Sequence, residues 1–141
     1  MPAIIEHIDT IARQKKRDVL FIEFYRIDGQ NQRRLIGGSE WRGLVTRQNI
    51  VCWLDKRGIS WTPCGHIANS TLYMSYRGQI YIDIPFDRTL AAYCELESHL
   101  EDPDGTPRLP GAMFCCLNYE VAMQNAGHDE PGYWDRWAAR F

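Results

Sequence analysis

The sequence predicts an α+β fold, a single domain over residues 1–141 in which helices pack on a mostly antiparallel sheet. Some segments repeat their apolar residues at helical spacing, and others alternate them as strands do. The predicted order of elements is α-β-(β)-α-β-β-β-α-β-α. Its middle contains β-α-β-β-α-β, the order of a ferredoxin-like core, here extended by helices at the N- and C-terminal ends.

The composition supports a hydrophobic core and a cytoplasmic location. The chain has 141 residues and is 45% hydrophobic, which suits one domain with a core and is too apolar for a disordered chain. The longest apolar run, Ala112–Leu117, is far shorter than the roughly 18 residues that cross a bilayer. The N-terminal residues lack the pattern of a signal peptide. Five cysteines, an odd number, suit reduced thiols better than a disulfide framework.

The charge distribution disfavours one class of partner and is compatible with others. A formal net charge of -2, without a pervasive basic excess, disfavours a protein that coats duplex nucleic acid. Residues 1–60 are nevertheless basic, whereas residues 61–141 are acidic. The two halves either face each other within the domain or give a dipolar surface that steers a charged ligand or a protein partner.

The first helix and the first strand follow from the spacing of apolar residues. An amphipathic helix is predicted near the N-terminus from Ile4, Ile5, Ile8, Ile11 and Ala12. Residues 18–27 predict a strand with apolar residues on both faces, which is typical of a central strand covered on both sides. Glu23 is the exception on one of these faces.

The second helix has a defined end and two candidate starts. Gly58 and Ile59, which follow Leu54, fit a Schellman motif that ends the helix at Arg57. The helix begins at either Ser39 or Thr46, because residues 39–45 fit both a helix and a short strand.

Two alternating runs predict a β-hairpin. Pairing across a three-residue loop puts every large aliphatic residue on one face, and this register pairs Leu72, Met74 and Tyr76 with Ile84, Ile82 and Ile80. A short strand over residues 59–62 precedes the hairpin and ends at Pro63.

The remaining elements are a helix, a strand and a terminal helix. Asp87 is predicted to cap a helix over residues 87–100, whose inward face is Leu90, Ala91, Cys94 and Leu100. Residues 113–119 predict a second strand that is apolar on both faces. Glu130 and Pro131 predict the start of the last helix.

Cys64 and His66 are the candidate metal ligands. On an extended chain they point to the same side, as two ligands of one metal must. Cys115 or Cys116, and His99 or His128, could complete such a site. The spacings of structural zinc sites and zinc deaminases do not occur, so neither a metal nor another cofactor is predicted. The alternative is a turn with a buried thiol and a hydrogen-bonded imidazole.

A candidate anion site consists of Arg33, Arg34, Gly37, Gly38, Ser39 and Arg42. Adjacent glycines before a helix N-terminus can turn backbone N–H groups toward an anion, and arginines pair with its oxygens. This site requires the helix to begin at Ser39. Neither of the glycine-rich motifs that bind nucleotide phosphates, G-x-G-x-x-G and G-x-x-x-x-G-K-[ST], occurs in the sequence. The alternative is a flexible loop with solvated arginines.

Two carboxylates on strands are the candidate catalytic residues. Glu23 lies between aromatic residues, and Asp83 is expected on the polar face of the predicted hairpin, together with Tyr73 and Tyr81. A carboxyl group that is buried and unpaired has a raised pKa, as a general acid needs. The structural alternatives are a solvent-facing or helix-covered hairpin face and, for Glu23, an ion pair with Arg26 or Arg34.

Aromatic residues form a helical stripe at the C-terminus, namely Tyr133, Trp134, Trp137 and Phe141. Such a stripe docks on its own core, or it forms an exposed surface for a protein partner or for self-association.

Two functions are compatible with these features. The first is macromolecular binding by a non-catalytic protein, such as an inhibitor, an immunity-type protein or a regulator, because no catalytic constellation is complete. The second is an enzyme or ligand-binding domain for a small anionic or phosphorylated molecule. The loop of residues 33–39 would hold the anion, and Glu23 or Asp83 would act as acid or base. A cleft that joins this loop to one carboxylate would favour the second function, and an exposed aromatic stripe would favour the first.

Overall fold

The computed structural model describes residues 5–30, 32–68 and 75–140. The helices are α1 (Ile8–Lys15), α2 (Val45–Lys56), α3 (Ala91–Leu100), α4 (Tyr119–Met123) and α5 (Tyr133–Ala138). The strands are β1 (Val19–Phe24), β2 (Arg26–Ile27), β3 (Arg33–Arg34), β4 (Trp61–Pro63), β5 (Ile80–Ile82) and β6 (Ala112–Leu117). Within these ranges no helix is long and apolar enough to cross a membrane.

The main sheet has the strand order β4-β5-β1-β6, and every neighbouring pair is antiparallel. Strands β1 and β4 are therefore parallel to each other, with α2 connecting them and β5 inserted between them. Strands β5 and β6 are related in the same way through α3, with β1 inserted. Two interleaved βαβ units of this kind make the ferredoxin-like arrangement that the element order predicts. Strands β2 and β3 form a separate small hairpin.

Strand β1 is covered on both faces, as its sequence predicts. On one face, Leu20 and Ile22 belong to a core that also includes residues of α2 and α3. On the other face, Val19 packs in a second core with Ile8 and Ile11 of α1. Helices therefore lie on both sides of the sheet, and the helix that precedes the βαββαβ unit closes the second side.

A buried polar network joins α1 to two distant segments. Asp9 is fully buried, and its carboxylate lies 3.1 Å from the guanidinium of Arg13. The same carboxylate accepts hydrogen bonds from the backbone of Ala68 (3.2 Å) and the side chain of Asn125 (2.9 Å). Arg13 also donates to both carboxylate oxygens of Asp129. Burial opposes the charge on Asp9, but these hydrogen bonds outweigh it and lower the pKa of the carboxyl group.

Helix α2 ends as predicted and begins near the later of the two candidate starts. Gly58 has a φ of 68°, and its N–H donates to the carbonyl of Asp55. The N–H of Ile59 donates to the carbonyl of Leu54, which completes the Schellman motif. Residues Glu40–Gly43 form a separate 3-10 turn before the helix, so this stretch is neither the α-helix nor the strand considered for it.

The predicted hairpin over residues 71–84 is wrong. Strand β5 has β4 on one side and β1 on the other, with Ile82 opposite both Trp61 and Leu20. Both edges of β5 are therefore occupied, and no edge remains for a strand that contains Tyr76. Residues 71–74 lie outside the described residues. Alternation correctly indicated a strand at β5, but it carries no information on which strands become neighbours.

The inward face of α3 also differs from the prediction. The buried residues are Tyr93, Leu96 and Leu100, whereas Leu90, Ala91 and Cys94 are exposed. The helix begins only at Ala91, because Asp87 accepts hydrogen bonds from the backbone and hydroxyl of Thr89 and holds a turn there. Placing the aromatic ring of Tyr93 in the core rotates the helix away from the predicted face.

Strand β6 starts and ends slightly earlier than predicted and lies at the edge of the sheet. The side chain of Asn118 accepts a hydrogen bond from the backbone of Glu120 and caps α4. The residues predicted to end the strand therefore begin a helix instead.

The buried network predicts a large loss of stability on removing one charge. The substitution Asp9→Asn should lower the free energy of unfolding by about 3 kcal/mol, because it leaves the buried guanidinium of Arg13 with one counter-ion fewer. Urea unfolding at neutral pH measures this change. The exposed Asp135 provides the control, and Asp135→Asn should change stability little. An equal effect of both substitutions would contradict the assigned role of Asp9.

The same network predicts acid sensitivity with a defined sign. The pKa of Asp9 is lowered in the folded protein, so its stabilisation is complete above the unfolded value of about 3.9 and is lost as pH falls through the folded value. Unfolding measured between neutral pH and pH ~2 should therefore show a steeper acid loss in the native sequence than in Asp9→Asn. Identical pH profiles would contradict the prediction.

Candidate functional site

Glu23 and His66, which the sequence places in separate hypotheses, lie side by side in the structure. Nδ1 of His66 is 3.0 Å from Oε1 of Glu23, and both side chains are about one-third exposed. A carboxylate only accepts hydrogen bonds, so this contact favours the tautomer with the proton on Nδ1 and the lone pair on Nε2. Neither of the two arginines proposed as partners of Glu23 replaces His66 in this contact; Arg26 pairs with Glu40.

The segment that carries His66 is held by the residues that precede α1. Gly65 forms a parallel bridge with His7, through hydrogen bonds from Ile8 N–H to the Gly65 carbonyl and from Gly65 N–H to the Glu6 carbonyl. The side chain of His7 donates from Nδ1 to the carbonyl of His66 (3.0 Å). A Cβ atom at position 65 would lie 3.3 Å from that same Nδ1, so the close approach favours glycine.

Glu23 and His66 line a cleft whose walls also include Arg77 and Gln79. Arg77 and Gln79 belong to the turn before β5. Arg47 of α2 donates to the carbonyl of Gly78 (2.8 Å) and to the hydroxyl of Tyr76, and that hydroxyl donates to the carbonyl of Gln79. Gly78 has a φ of 90°, and a Cβ there would lie 2.8 Å from Cβ of Trp41. Glycine is therefore required for this turn to approach the 3-10 turn so closely.

Three residues that line this cleft carry four buried nitrogen atoms without a hydrogen-bond partner among the residues that the structure describes. They are Nε and Nη1 of Arg77, Nε2 of Gln79 and Nε2 of His66. Gln79 is only 2% exposed, and its side-chain oxygen accepts from the backbone of Arg77. Buried polar groups are paired in most proteins, since an unpaired one costs about 1–3 kcal/mol. These atoms therefore mark a place where a ligand can supply the missing partners.

The cleft has a volume of about 180 Å³, and two further arginines stand at its rim. Its walls include Glu23, His66, Arg77 and Gln79, together with Arg33 and Arg34 of β3. The guanidinium of Arg33 lies over the ring of Tyr25, 4.9 Å from its centroid, which orients this side chain. The cleft thus brings the first two residues of the candidate anion site together with Glu23.

The other members of the candidate anion site do not line this cleft. The carbonyls of Gly37 and Ser39 accept hydrogen bonds from Glu40 and Arg42, as the chain enters the four-residue 3-10 turn. The guanidinium of Arg42 lies over the ring of Trp41. The helix begins after this turn, so Gly37, Gly38 and Ser39 do not form its N-terminus.

Asp83 lies apart from Glu23, in a groove between α1 and β4. It accepts a hydrogen bond from the hydroxyl of Tyr81 (2.7 Å) and pairs with Arg17 (2.8 Å) and Lys15 (3.3 Å). The hydrogen bond from Tyr81, supported by both cations, lowers the pKa of Asp83, whereas burial raises the pKa of Tyr81 to about 12. Asp83 is therefore held as a paired carboxylate, which does not suit a general acid. Tyr73 lies outside the described residues.

Cys64, which directly follows β4, carries a buried thiol. It is fully buried, and burial together with the charge of Glu23 raises its pKa to about 12. A thiol in this state is a poor nucleophile at neutral pH. Among the described residues, no group of three or more His, Cys, Asp or Glu side chains is placed to hold a metal ion. His99 instead stacks on Trp53, with the ring centroids 4.2 Å apart.

The C-terminal aromatic residues pack against the N-terminal segment. Trp134 stacks on His7 with the ring centroids 5.1 Å apart, and Tyr133 lies 4.5 Å from the ring of His128. Tyr133, Trp134 and Trp137 are each half-buried. Phe141 lies outside the described residues. His7 also donates to the carbonyl of His66, so the aromatic stripe is connected to the His66 segment through His7.

Arg77 and Gln79 are the site residues that sequence reasoning missed. With Gly78 they form the three-residue loop of the predicted hairpin, and no chemical role is predicted for that loop. The available signal was their position on either side of a glycine, directly before the short apolar run of β5.

No family model, curated protein or solved structure matches this chain. The chemistry of the cleft follows from the described side chains that line it: three arginines, an amide, and a histidine oriented by a carboxylate.

The Glu23 contact predicts the tautomer of His66. In the neutral imidazole, Nδ1 should carry the proton and Nε2 the lone pair, and Glu23→Ala should shift the mixture toward the Nε2–H form that predominates in free histidine side chains. Long-range ¹H–¹⁵N correlation spectra distinguish the two tautomers. His99, which stacks on Trp53, is the internal control. An Nε2–H form of His66 in the native sequence would contradict this arrangement.

Proposed function

We propose that this protein binds a small organic anion in the cleft formed by β1, the His66 segment and the turn of Arg77 and Gln79. The proposal rests on the buried N–H donors of Arg77 and Gln79, which have no hydrogen-bond partner in the described part of the chain. Donors in this state are satisfied by the oxygens of a carboxylate or a phosphate, and hydrogen bonds to such charged groups are the stronger kind.

The charge of the cleft favours the same class of ligand. Among the described residues that line it, three are arginines and one, Glu23, is a carboxylate that already faces His66. Arginine presents N–H donors in a planar arrangement that matches carboxylate and phosphate groups. The basic excess of the N-terminal half of the chain adds to this local field at a distance.

The size of the cleft limits the ligand. Clefts that hold drug-sized molecules have volumes of roughly 300–1,000 Å³, and this one has about 180 Å³. A carboxylic acid or a phosphate ester of a few carbon atoms suits this space better than a nucleotide.

Macromolecular binding through the aromatic stripe has less support. Trp134 and Tyr133 pack on His7 and His128, so part of their apolar surface is already covered. We also propose a cytoplasmic location. All five cysteines are free thiols, and a reducing compartment keeps thiols in this state.

The proposal predicts which side chain anion binding depends on. Titration of ¹⁵N-labelled protein with inorganic phosphate and, separately, acetate should shift the amide signals of Glu23, His66 and Gln79. Arg77→Met should raise the Kd for the bound anion about tenfold or more, because charge-assisted hydrogen bonds contribute about 1.5–3 kcal/mol.

Arg57→Met is the matched control for this experiment. Arg57 is an exposed arginine that lies over Trp53 and pairs with Glu95, and its loss changes the net charge equally. Its Kd should stay at the native value. If neither anion shifts the signals of the cleft, or if both variants weaken binding equally, the proposed function is wrong.

A further inference from the structure

We infer that the anion bound in this cleft also carries a hydroxyl group, and that this hydroxyl donates a hydrogen bond to Nε2 of His66. The inference rests on the proposed function, because the arginines must hold the anionic group. It adds the chemical class of the ligand: a hydroxycarboxylate or a phosphate ester with a free hydroxyl.

The first step is the state of the His66 ring. Oε1 of Glu23 lies 3.0 Å from Nδ1, which places the proton of the neutral ring on that nitrogen. In that neutral ring, Nε2 carries a lone pair and acts as an acceptor. It is buried and has no hydrogen-bond partner within the described part of the chain. An anionic oxygen would repel this lone pair, whereas a hydroxyl group satisfies it.

The second step is that the ring is held in this orientation. Glu23 stands within β1, opposite Met113 of β6, so its backbone is set by the sheet. The backbone of His66 is held by His7, which donates to its carbonyl, and by the bridge at Gly65. The backbone of Ala68 donates to the buried carboxylate of Asp9. Turning the ring to present Nδ1 to a ligand would break its contact with Glu23.

The third step is the combination of groups around the cleft. Arg77 and Gln79 offer donors without partners, and His66 offers an acceptor. The complementary ligand has several acceptor oxygens and a donor, as a hydroxylated anion has. An analogue without the hydroxyl would leave Nε2 unpaired in a buried site, and sites of this kind discriminate against such analogues.

Two pairs of achiral probes test the inference, each differing in one hydroxyl. Glycolate is compared with acetate, and 2-hydroxyethyl phosphate with ethyl phosphate, by titration of ¹⁵N-labelled native protein. In at least one pair the hydroxylated member should bind several-fold more tightly, since one hydrogen bond contributes about 0.5–1.5 kcal/mol, a factor of about 2 to 13. The two pairs also distinguish a carboxylate ligand from a phosphate ester.

His66→Phe keeps a ring and removes the acceptor. It should abolish the preference for the hydroxylated probe while the anion still binds through the arginines. His99→Phe is the matched control, because His99 is also a half-buried ring but lies away from the cleft, stacked on Trp53; it should retain the native preference. If His66→Phe does not fold, the Nε2 resonance of the native protein decides, since it should shift with the hydroxylated probe and not with its partner.

The outcomes separate the two proposals. Equal Kd values within both pairs, in the native protein, would overturn the hydroxyl inference and leave anion binding intact. A preference that survives in His66→Phe would also overturn it. If none of the four probes binds at the cleft, the proposed function fails and the inference fails with it.

Discussion

The buried carboxylate of Asp9 is the constraint on which the second side of this fold depends. A charge without solvent must be matched by hydrogen bonds, and Asp9 obtains them from Arg13, Ala68 and Asn125, two of which lie at least 59 residues away. These bonds attach α1 to the segment after β4 and to the segment after α4. The first of these segments also carries His66, two residues before Ala68.

A row of contacts then leads from the C-terminus to the cleft. Trp134 stacks on His7, His7 donates to the carbonyl of His66, and His66 faces Glu23. The aromatic stripe is therefore connected to the site through His7. On the other side, Arg47 holds the turn that carries Arg77 and Gln79. The buried donors of that turn are costly when unpaired, so a ligand that pairs with them would stabilise the folded protein as well as occupy the cleft.

Local sequence patterns anticipated much of the fold and little of the site. The double apolar character of β1, the Schellman motif at Gly58 and the alternation of strands and helices all concern neighbours along the chain, and the structure agrees with each. The predicted order nevertheless has three strands between α2 and α3, where the described residues contain two. The hairpin over residues 71–84 and the inward face of α3 were wrong, because strand pairing and helix rotation are decided by long-range packing. Glu23 and His66 were identified as candidate residues, but their contact spans 43 positions of the chain and no local pattern encodes it.

The sequence by itself determined the α+β class and the interleaved order of strands and helices, since periodicity, capping and turn residues act over a few positions. Only the tertiary structure decided that β4 and β1 flank β5, that Asp83 is held by Arg17 and Lys15, and that Arg77 and Gln79 meet Glu23 and His66 at one cleft. The physical reason is that a cleft consists of side chains from distant segments, and their meeting depends on the sheet order and on the buried charge of Asp9.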